Sequence, residues 1–445
     1  MNWIKIDDSY ICNKIFSVVK EGVNRLIDPI KVEEDRVKLI QERKDSGKEY
    51  IVGSSIDLAR GYGGFCVLLG ELDKIEPNEG WDKIGHCYLQ EIQNILVEKG
   101  VMGLGLWTGL SGVIIAAKSL SRNGERYKKF ISNLNCTFIN SFMRMFKDMR
   151  LQESKGIKTN DIDVIQGISG IGRYVLAFSE DKKMKEILEN ILLYLVYLCK
   201  YIDHDGVKVP GWFISFDNYM GYDRENYTNG HFNCGMAHGI TGILALMSIS
   251  SIKGIVVEGQ NEAIKKIVNW LIKFRSYDKF GPIWPGKVSW EENIEGKVED
   301  VFAREAWCYG DAGVARAIWL SGVALNNNEW KEISIDTFKG ICRRPEEKWN
   351  IKSHTFCHGR AGLLQIVQRM YSESEDKEIK VLRDRLVNEV LELWNPSEPY
   401  GYHEEDGLDI QHIAGLLDGA AGVFAVLIGL TREEDSDWDS IFLIC

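Results

Sequence analysis

Two kinds of apolar pattern alternate along the chain. Stretches such as EAIKKIVNWLIKF (262–274) and KEIKVLRDRLVNEVLELW (377–394) repeat apolar residues every three and four positions and leave a polar face. They predict amphipathic helices with one wet side. The other kind is apolar nearly all round, which predicts helices buried on every side. Each run of this second kind follows a G-x-x-G step: GYGGFCVLL from Gly61, GLSGVIIAA from Gly109, GISGIGRYVLAF from Gly167, HGITGILALM at Gly239, YGDAGVARAIWL at Gly310, HGRAGLLQIV at Gly359 and DGAAGVFAVLIGL at Gly419. Successive copies lie about sixty residues apart, too long for a small solenoid unit and long enough for a helix pair with its loops. The expected fold is all-α, an α/α toroid of seven hairpins in which all-apolar helices form an inner barrel and amphipathic helices sheathe it. Glycine at each inner-helix entrance is expected to supply unusual backbone angles and close approach. Two segments, 205–230 and 277–298, carry Gly, Pro, aromatics and short alternating stretches instead. They predict extended or β-like insertions over one rim of a single domain spanning 1–445.

Composition narrows the function. With 45% hydrophobic and 11% aromatic residues and only 8 prolines, the chain has material for a large core and no tract biased toward disorder. A net charge of −11 without a basic cluster argues against nucleic acid and suits a cationic or neutral peptide. The start, MNWIKIDDSY, lacks the charged-then-apolar pattern of an export signal. The apolar runs at 191–199 and 422–430 fall short of the roughly 20 residues a membrane span needs. A cytoplasmic protein is expected. The ten cysteines are scattered over a long chain, so reduced thiols are the expectation, with Cys136 and Cys199 read as small buried core residues.

If the glycine steps are equivalent, positions counted back from each first glycine share a height in the ring. Cys308 and Cys357 lie two before Gly310 and Gly359, His358 one before Gly359, His238 one before Gly239, and Asp163 four before Gly167. All five are then expected at one end of the barrel. Cys308, Cys357 and His358 offer zinc two thiolates and an imidazole with a fourth position open. Such a centre is formally neutral, so an incoming thiolate would be held deprotonated yet electron-rich and nucleophilic. Thiol chemistry is favoured over water activation, although one known Cys₂His enzyme site shows that this rule is loose.

The motifs REAWCYGDAG (304–313), FCHGRAG (356–362), MAHGITG (236–242) and DVIQGISG (163–170) resemble those of the lanthionine synthetase C-like family, specifically the stand-alone cyclases of class I lantibiotic biosynthesis. The resemblance runs through all seven glycine steps. It implies an α/α toroid binding one zinc ion per chain, which adds cysteine thiols of a dehydrated, leader-bearing precursor peptide to dehydroalanine or dehydrobutyrine, forming thioether rings. It implies Cys308, Cys357 and His358 as zinc ligands, Asp163 and His238 as acid–base residues, and Arg304, Trp307 and Tyr309 as residues flanking the metal. It further implies a separate dehydratase and an export transporter as partners at the inner membrane face, because the chain has no long N-terminal extension to house a dehydratase.

The chemistry of the residues agrees. Thiolate attack on the β-carbon produces an enolate that must be stabilised and protonated; imidazole titrates in the right range for that proton traffic at His238, and Asp163 could orient it. Arg304 could offset the developing negative charge or serve a structural ion pair. Trp307 and Tyr309 could contact substrate or simply line the rim. His231 and Cys234 fall outside the shared register and read as loop or core residues, His354 as a neighbour of the site or a solvent-facing residue, and His403 and His412 stay unassigned. Two other readings compete. An α/α-barrel glycoside hydrolase would need facing carboxylates, for which Asp163 and Asp311 are the weak candidates. A zinc- and thiol-binding relative without cyclase activity would keep the same three ligands.

Overall fold

The computed structural model describes the chain except residues 1–2, 49–52, 102, 152–155, 220–221, 300, 303 and 407–408. Every glycine step opens a helix. Tyr62–Ile75, Leu110–Ser119, Ile168–Leu176, Ile240–Ile252, Asp311–Ala324, Arg360–Ser374 and Ala420–Gly429 each begin one residue after the first glycine of their step. These step helices are buried nearly throughout, as their all-apolar runs require; in Ala420–Gly429 every residue is buried. The amphipathic stretches form cover helices. Gln260–Lys273, for instance, buries Ala263, Ile264, Ile267, Val268 and Leu271, a spacing of three and four that puts one stripe inward.

By its contacts the chain divides into two compact units, one made of residues 1–138, 352–373 and 383–438 and the other of residues 139–351, 374–382 and 439–445. In the first unit, helix Tyr62–Ile75 packs against its cover Trp81–Lys99, against Leu110–Ser119 and against Ala420–Gly429, so the last repeat meets the first. Ala420–Gly429 is itself covered by Ser9–Val23, from the opposite end of the sequence. The Ile6 N–H donates to Leu430 O at 2.9 Å beside this pair.

In the second unit, Ile168–Leu176, Ile240–Ile252 and Asp311–Ala324 are neighbours in that order, with covers Lys182–Leu198, Gln260–Lys273 and Asn328–Arg343. The segment 439–445 belongs here, with Phe442, Leu443 and Ile444 fully buried. Three buried donors hold its carbonyls at alternate residues: Arg173 Nε to Ser440 O at 2.8 Å, Trp307 Nε1 to Phe442 O at 2.9 Å and Arg316 Nε to Ile444 O at 2.7 Å.

The irregular segments contain strands, as their composition predicts. Tyr201–His204 pairs antiparallel with Val207–Pro210, Ser276–Tyr277 with Pro282–Ile283, and His231–Asn233 with Lys287–Ser289. The last pair joins the residues just past the first segment to the second segment. A third hairpin, Glu404–Asp406 with Asp409–Gln411, lies in the first unit and has no counterpart in the expectations.

Two expectations need correction. Unusual backbone angles do not explain the glycine steps generally: Gly61, Gly109, Gly167, Gly239 and Gly419 are extended, and only Gly310 among the first glycines has φ in the positive region, at 136°. Close approach explains the requirement better, since an added Cβ at Gly310 would lie 1.9 Å from Arg304 O and one at Gly362 1.9 Å from Phe356 O. Cys136 is exposed, because helix Lys128–Leu151 turns Phe138 and Phe142 inward and thereby points Cys136 away. None of the ten cysteines is bridged in a disulfide, and Cys199 is buried as expected. Among the described residues no helix is long and apolar enough to cross a membrane.

Candidate functional site

Within each unit the glycine loops are stitched together by backbone hydrogen bonds at a fixed register. In the second unit, Val164 N donates to Ala237 O at 2.9 Å and Ala237 N to Cys308 O at 3.2 Å. In the first, Cys357 N donates to Leu417 O at 2.8 Å, Leu417 N to Ala59 O at 3.0 Å and Leu58 N to Trp107 O at 3.0 Å. Residues two and three before each first glycine thus face their counterparts in the next repeat. Counting back from glycine gives true spatial equivalence within a unit.

That register brings Asp163 and His238 together at the starts of neighbouring helices in the second unit. Asp163 is 1% exposed. Its Oδ1 accepts the Gln166 and Gly167 N–H groups at 2.8 and 2.7 Å, and its Oδ2 lies 2.7 Å from His238 Nδ1. A carboxylate at Nδ1 fixes the proton there. That leaves Nε2 as the ring nitrogen away from the carboxylate, on an imidazole whose side chain is 36% exposed. Tyr309 stacks beside this ring at a centroid distance of 6.2 Å, and its hydroxyl accepts from Asn233 Nδ2 at 2.9 Å. Burial pushes the Tyr309 phenol well up from its usual value, so it stays protonated.

Around Cys308 the flanking residues separate into different roles. Trp307 is fully buried and its indole N–H holds the 439–445 segment, which gives it a packing partner in place of an open contact surface. Glu305 and Asp311 are fully buried with Arg344, which bonds Glu305 and lies 3.4 Å from Asp311. Burial pushes Glu305 up to about 7 and Asp311 well above the ordinary range, with Arg344 pulling the other way in both. Asp311 also accepts the Trp284 N–H at 2.7 Å. Arg304, by contrast, makes no ion pair among the described residues, and its buried Nε has no hydrogen-bond partner. The ion pair at this loop belongs to Arg344.

In the first unit, Cys357 and His358 directly precede the Gly359 step. The His358 Nε2 is hydrogen-bonded to Glu404 on the unexpected hairpin. Glu404 is 4% exposed, and its other oxygen accepts both Ser353 Oγ and Thr355 Oγ1 at 2.6 Å. Burial alone would raise the carboxyl, but the His358 ring and the two hydroxyls hold it below its usual value. Sequence reasoning missed Glu404 because no offset from a glycine step singles it out.

The remaining histidines lie elsewhere. His231 is fully buried in its strand between Tyr219 and Tyr227, and burial lowers it to about 4. Cys234 is likewise a core residue whose thiol burial pushes far up. His354 is buried against the His403 ring, away from solvent, at a centroid distance of 3.9 Å. His403 and His412 flank Glu398 at 3.0 and 3.7 Å.

Helix pairs that open at glycine steps, with cysteine or histidine just before three of those glycines, define the class as a helical repeat protein. The chain belongs to the lanthionine synthetase C-like family, whose model matches residues 54–443. It is 25% identical over 416 residues to the nisin biosynthesis protein NisC of Lactococcus lactis subsp. lactis, covering 92% of this chain and 92% of that protein. A solved structure of nisin cyclase matches with a TM-score of 0.75 at 24% identity, over 93% of this chain and 97% of that one. The fold is therefore the helical toroid of that cyclase.

Proposed function

We propose that the protein is a zinc-dependent peptide cyclase that closes (methyl)lanthionine rings by adding cysteine thiols to dehydroalanine or dehydrobutyrine. Membership of the family and the likeness to nisin cyclase along nearly the whole chain support this reading. The observation that carries it is the donor set of the matching motifs: Cys308 stands two residues before Gly310, and Cys357 and His358 directly precede Gly359, and zinc takes two thiolates and an imidazole at tetrahedral centres. Zinc held there would keep a peptide thiol ionised and nucleophilic near neutral pH.

The protein's own residues do the rest. Asp163 holds the proton on His238 Nδ1, leaving Nε2 to receive a proton and return one to the α-carbon. As the peptide sulfur bonds to the β-carbon, the alkene pair moves onto the neighbouring carbonyl, and Arg304, with no carboxylate partner among the described residues, offsets that charge. Protonation at the α-carbon then completes the addition. An S–H and a C=C π bond are lost, a C–S and a C–H bond are formed, and the peptide's composition is unchanged. Tyr309 packs beside His238 as a substrate contact; Trp307 supports the loop from below.

The substrate is a dehydrated, leader-bearing precursor, cationic in keeping with the chain's charge of −11. A separate dehydratase supplies it in the cytoplasm, and a transporter at the inner membrane face removes the product. A glycosidase reading loses its second carboxylate, since Asp311 is fully buried and committed to Trp284 and Arg344. Metal analysis and alkylation of the dehydrated precursor with and without enzyme test the proposal. One zinc per chain and loss of alkylatable thiols are expected, and Cys357→Ala abolishes both. His238→Ala keeps its zinc and fails to close rings; a variant that loses the metal instead overturns the assigned roles. Full zinc occupancy with unchanged thiol counts on every dehydrated precursor tried would favour the non-catalytic, thiol-binding reading.

A further inference from the structure

We infer that Glu404 is the residue that positions His358 for the metal, making the hairpin Glu404–Asp406/Asp409–Gln411 a structural part of the zinc centre. The assignment rests on the zinc reading above. A histidine that ligates a metal through one nitrogen is held in tautomer and ring orientation by what its other nitrogen meets. In this chain the other nitrogen meets a carboxylate: Nε2 of His358 faces Glu404 Oε1, which assigns Nδ1 to the metal.

The carboxylate is itself built into place. Its second oxygen accepts two hydroxyls, Ser353 Oγ and Thr355 Oγ1, each at 2.6 Å. Those hydroxyls lie 2.8 Å apart, and Ser353 Oγ accepts the Thr355 N–H at 3.1 Å. Ser353, Thr355 and Glu404 are all buried, so this network is screened from water and its directions are fixed by packing. The backbone adds a further tie, with His354 N donating to His403 O at 3.3 Å. Four sites on the ligand loop, at Ser353, His354, Thr355 and His358, are therefore fastened to Glu404 and to His403, the residue just before the hairpin. A carboxylate that merely filled space would not need both oxygens satisfied by the loop that carries the ligand.

Glu404 touches no reacting atom in this scheme. It acts through His358, so metal affinity and ligand geometry are the quantities it controls. The full-length protein would be stripped of metal, and zinc affinity measured by competition with a chromophoric chelator for wild type, Glu404→Ala, Glu404→Gln and Ser353→Ala/Thr355→Val. The visible spectrum of each cobalt(II)-loaded form reads the ligand geometry directly. Glu404→Ala is expected to weaken zinc binding about 10–100-fold and to shift the cobalt bands. Glu404→Gln, whose carbonyl still accepts from Nε2–H, should recover part of that loss. The hydroxyl pair should weaken binding less than Glu404→Ala, because it loosens the carboxylate without removing it.

Wild-type zinc affinity in Glu404→Ala, with wild type binding one ion, overturns this inference alone. A wild type that takes up no zinc overturns the underlying reading as well. Should Glu404→Ala fold poorly, Glu404→Gln carries the test: a lowered unfolding midpoint in the metal-free form together with unchanged metal affinity and cobalt spectrum would make Glu404 a strut and nothing more.

Discussion

Asp163 has a structural twin. Asp57 stands four residues before Gly61 as Asp163 stands four before Gly167. Each takes two backbone N–H groups on one oxygen: Arg60 and Gly61 at 2.8 and 2.9 Å, Gln166 and Gly167 at 2.8 and 2.7 Å. That half of the carboxylate is scaffold for the turn, repeated before Gly61, where the next step carries Thr108 at the position that His238 holds before Gly239. Only the bond from the other oxygen to His238 is particular to Asp163. Asparagine would keep the turn acceptor while presenting an N–H donor to the imidazole, which would then turn a bare nitrogen to the amide and carry its proton on Nε2. Asp163→Asn is thus expected to keep its zinc content and unfolding midpoint and to slow ring closure by about 10²–10⁴-fold, read from the time course of alkylatable thiols. Wild-type rates would remove Asp163 from the proton chemistry. The meeting of Asp163 with His238 was legible because both stand at fixed offsets from a glycine step. Glu404 was not legible, since its role depends on a long-range pairing that leaves no local mark.

Elements differ in how they announce themselves. Step helices were readable from apolar runs that could only be buried on all sides, and cover helices from their period of three and four. The short strands at 404–406 and 409–411 were not, because EED is wholly polar and DIQ holds one apolar residue, Ile410, so their pairing depends on tertiary context. Helix Trp290–Glu295, inside a segment expected to be irregular, did carry a signal that went unread. Ser289 and Glu292 form a capping box, the S-x-x-E pattern that starts a helix. The loop before Asp311–Ala324 is the most constrained of the glycine turns. Gly310 combines φ of 136° with an added Cβ 1.9 Å from Arg304 O, while Asp311 N donates to that same carbonyl at 2.8 Å. No side chain fits there without moving the strand of chain that carries Arg304 and Cys308. Gly310→Ala should therefore destabilise the fold by about 1–3 kcal/mol in urea unfolding and weaken zinc binding in the same preparation. Unchanged values of both would show that the loop can relax without cost.

At the scale of the whole chain, a repeat protein must decide what covers its last repeat, because each unit buries its apolar face only against a neighbour. The sequence pattern begins at Gly61 and ends with the helix after Gly419, so it gave the first sixty residues no place and the seventh step helix no partner. The structure resolves both omissions together, since Ser9–Val23 lies on Ala420–Gly429. The fit is close. A Cβ on Gly22 would stand 2.0 Å from Phe424 Cζ, and Phe424 has little room to yield because Trp394 and Tyr402 flank its ring at centroid distances of 6.0 and 5.7 Å. Gly22→Val should then cost about 1–3 kcal/mol through overpacking, whereas Tyr10→Ala, at a position 73% exposed on the same helix, should change stability by less than about 0.5 kcal/mol. Equal urea midpoints for the two variants would mean that the first helix rests on the last more loosely than the contact at Phe424 implies. A selective loss at Gly22 would show that joining the two ends of the sequence contributes to global stability, as a closed repeat array requires and an open one does not.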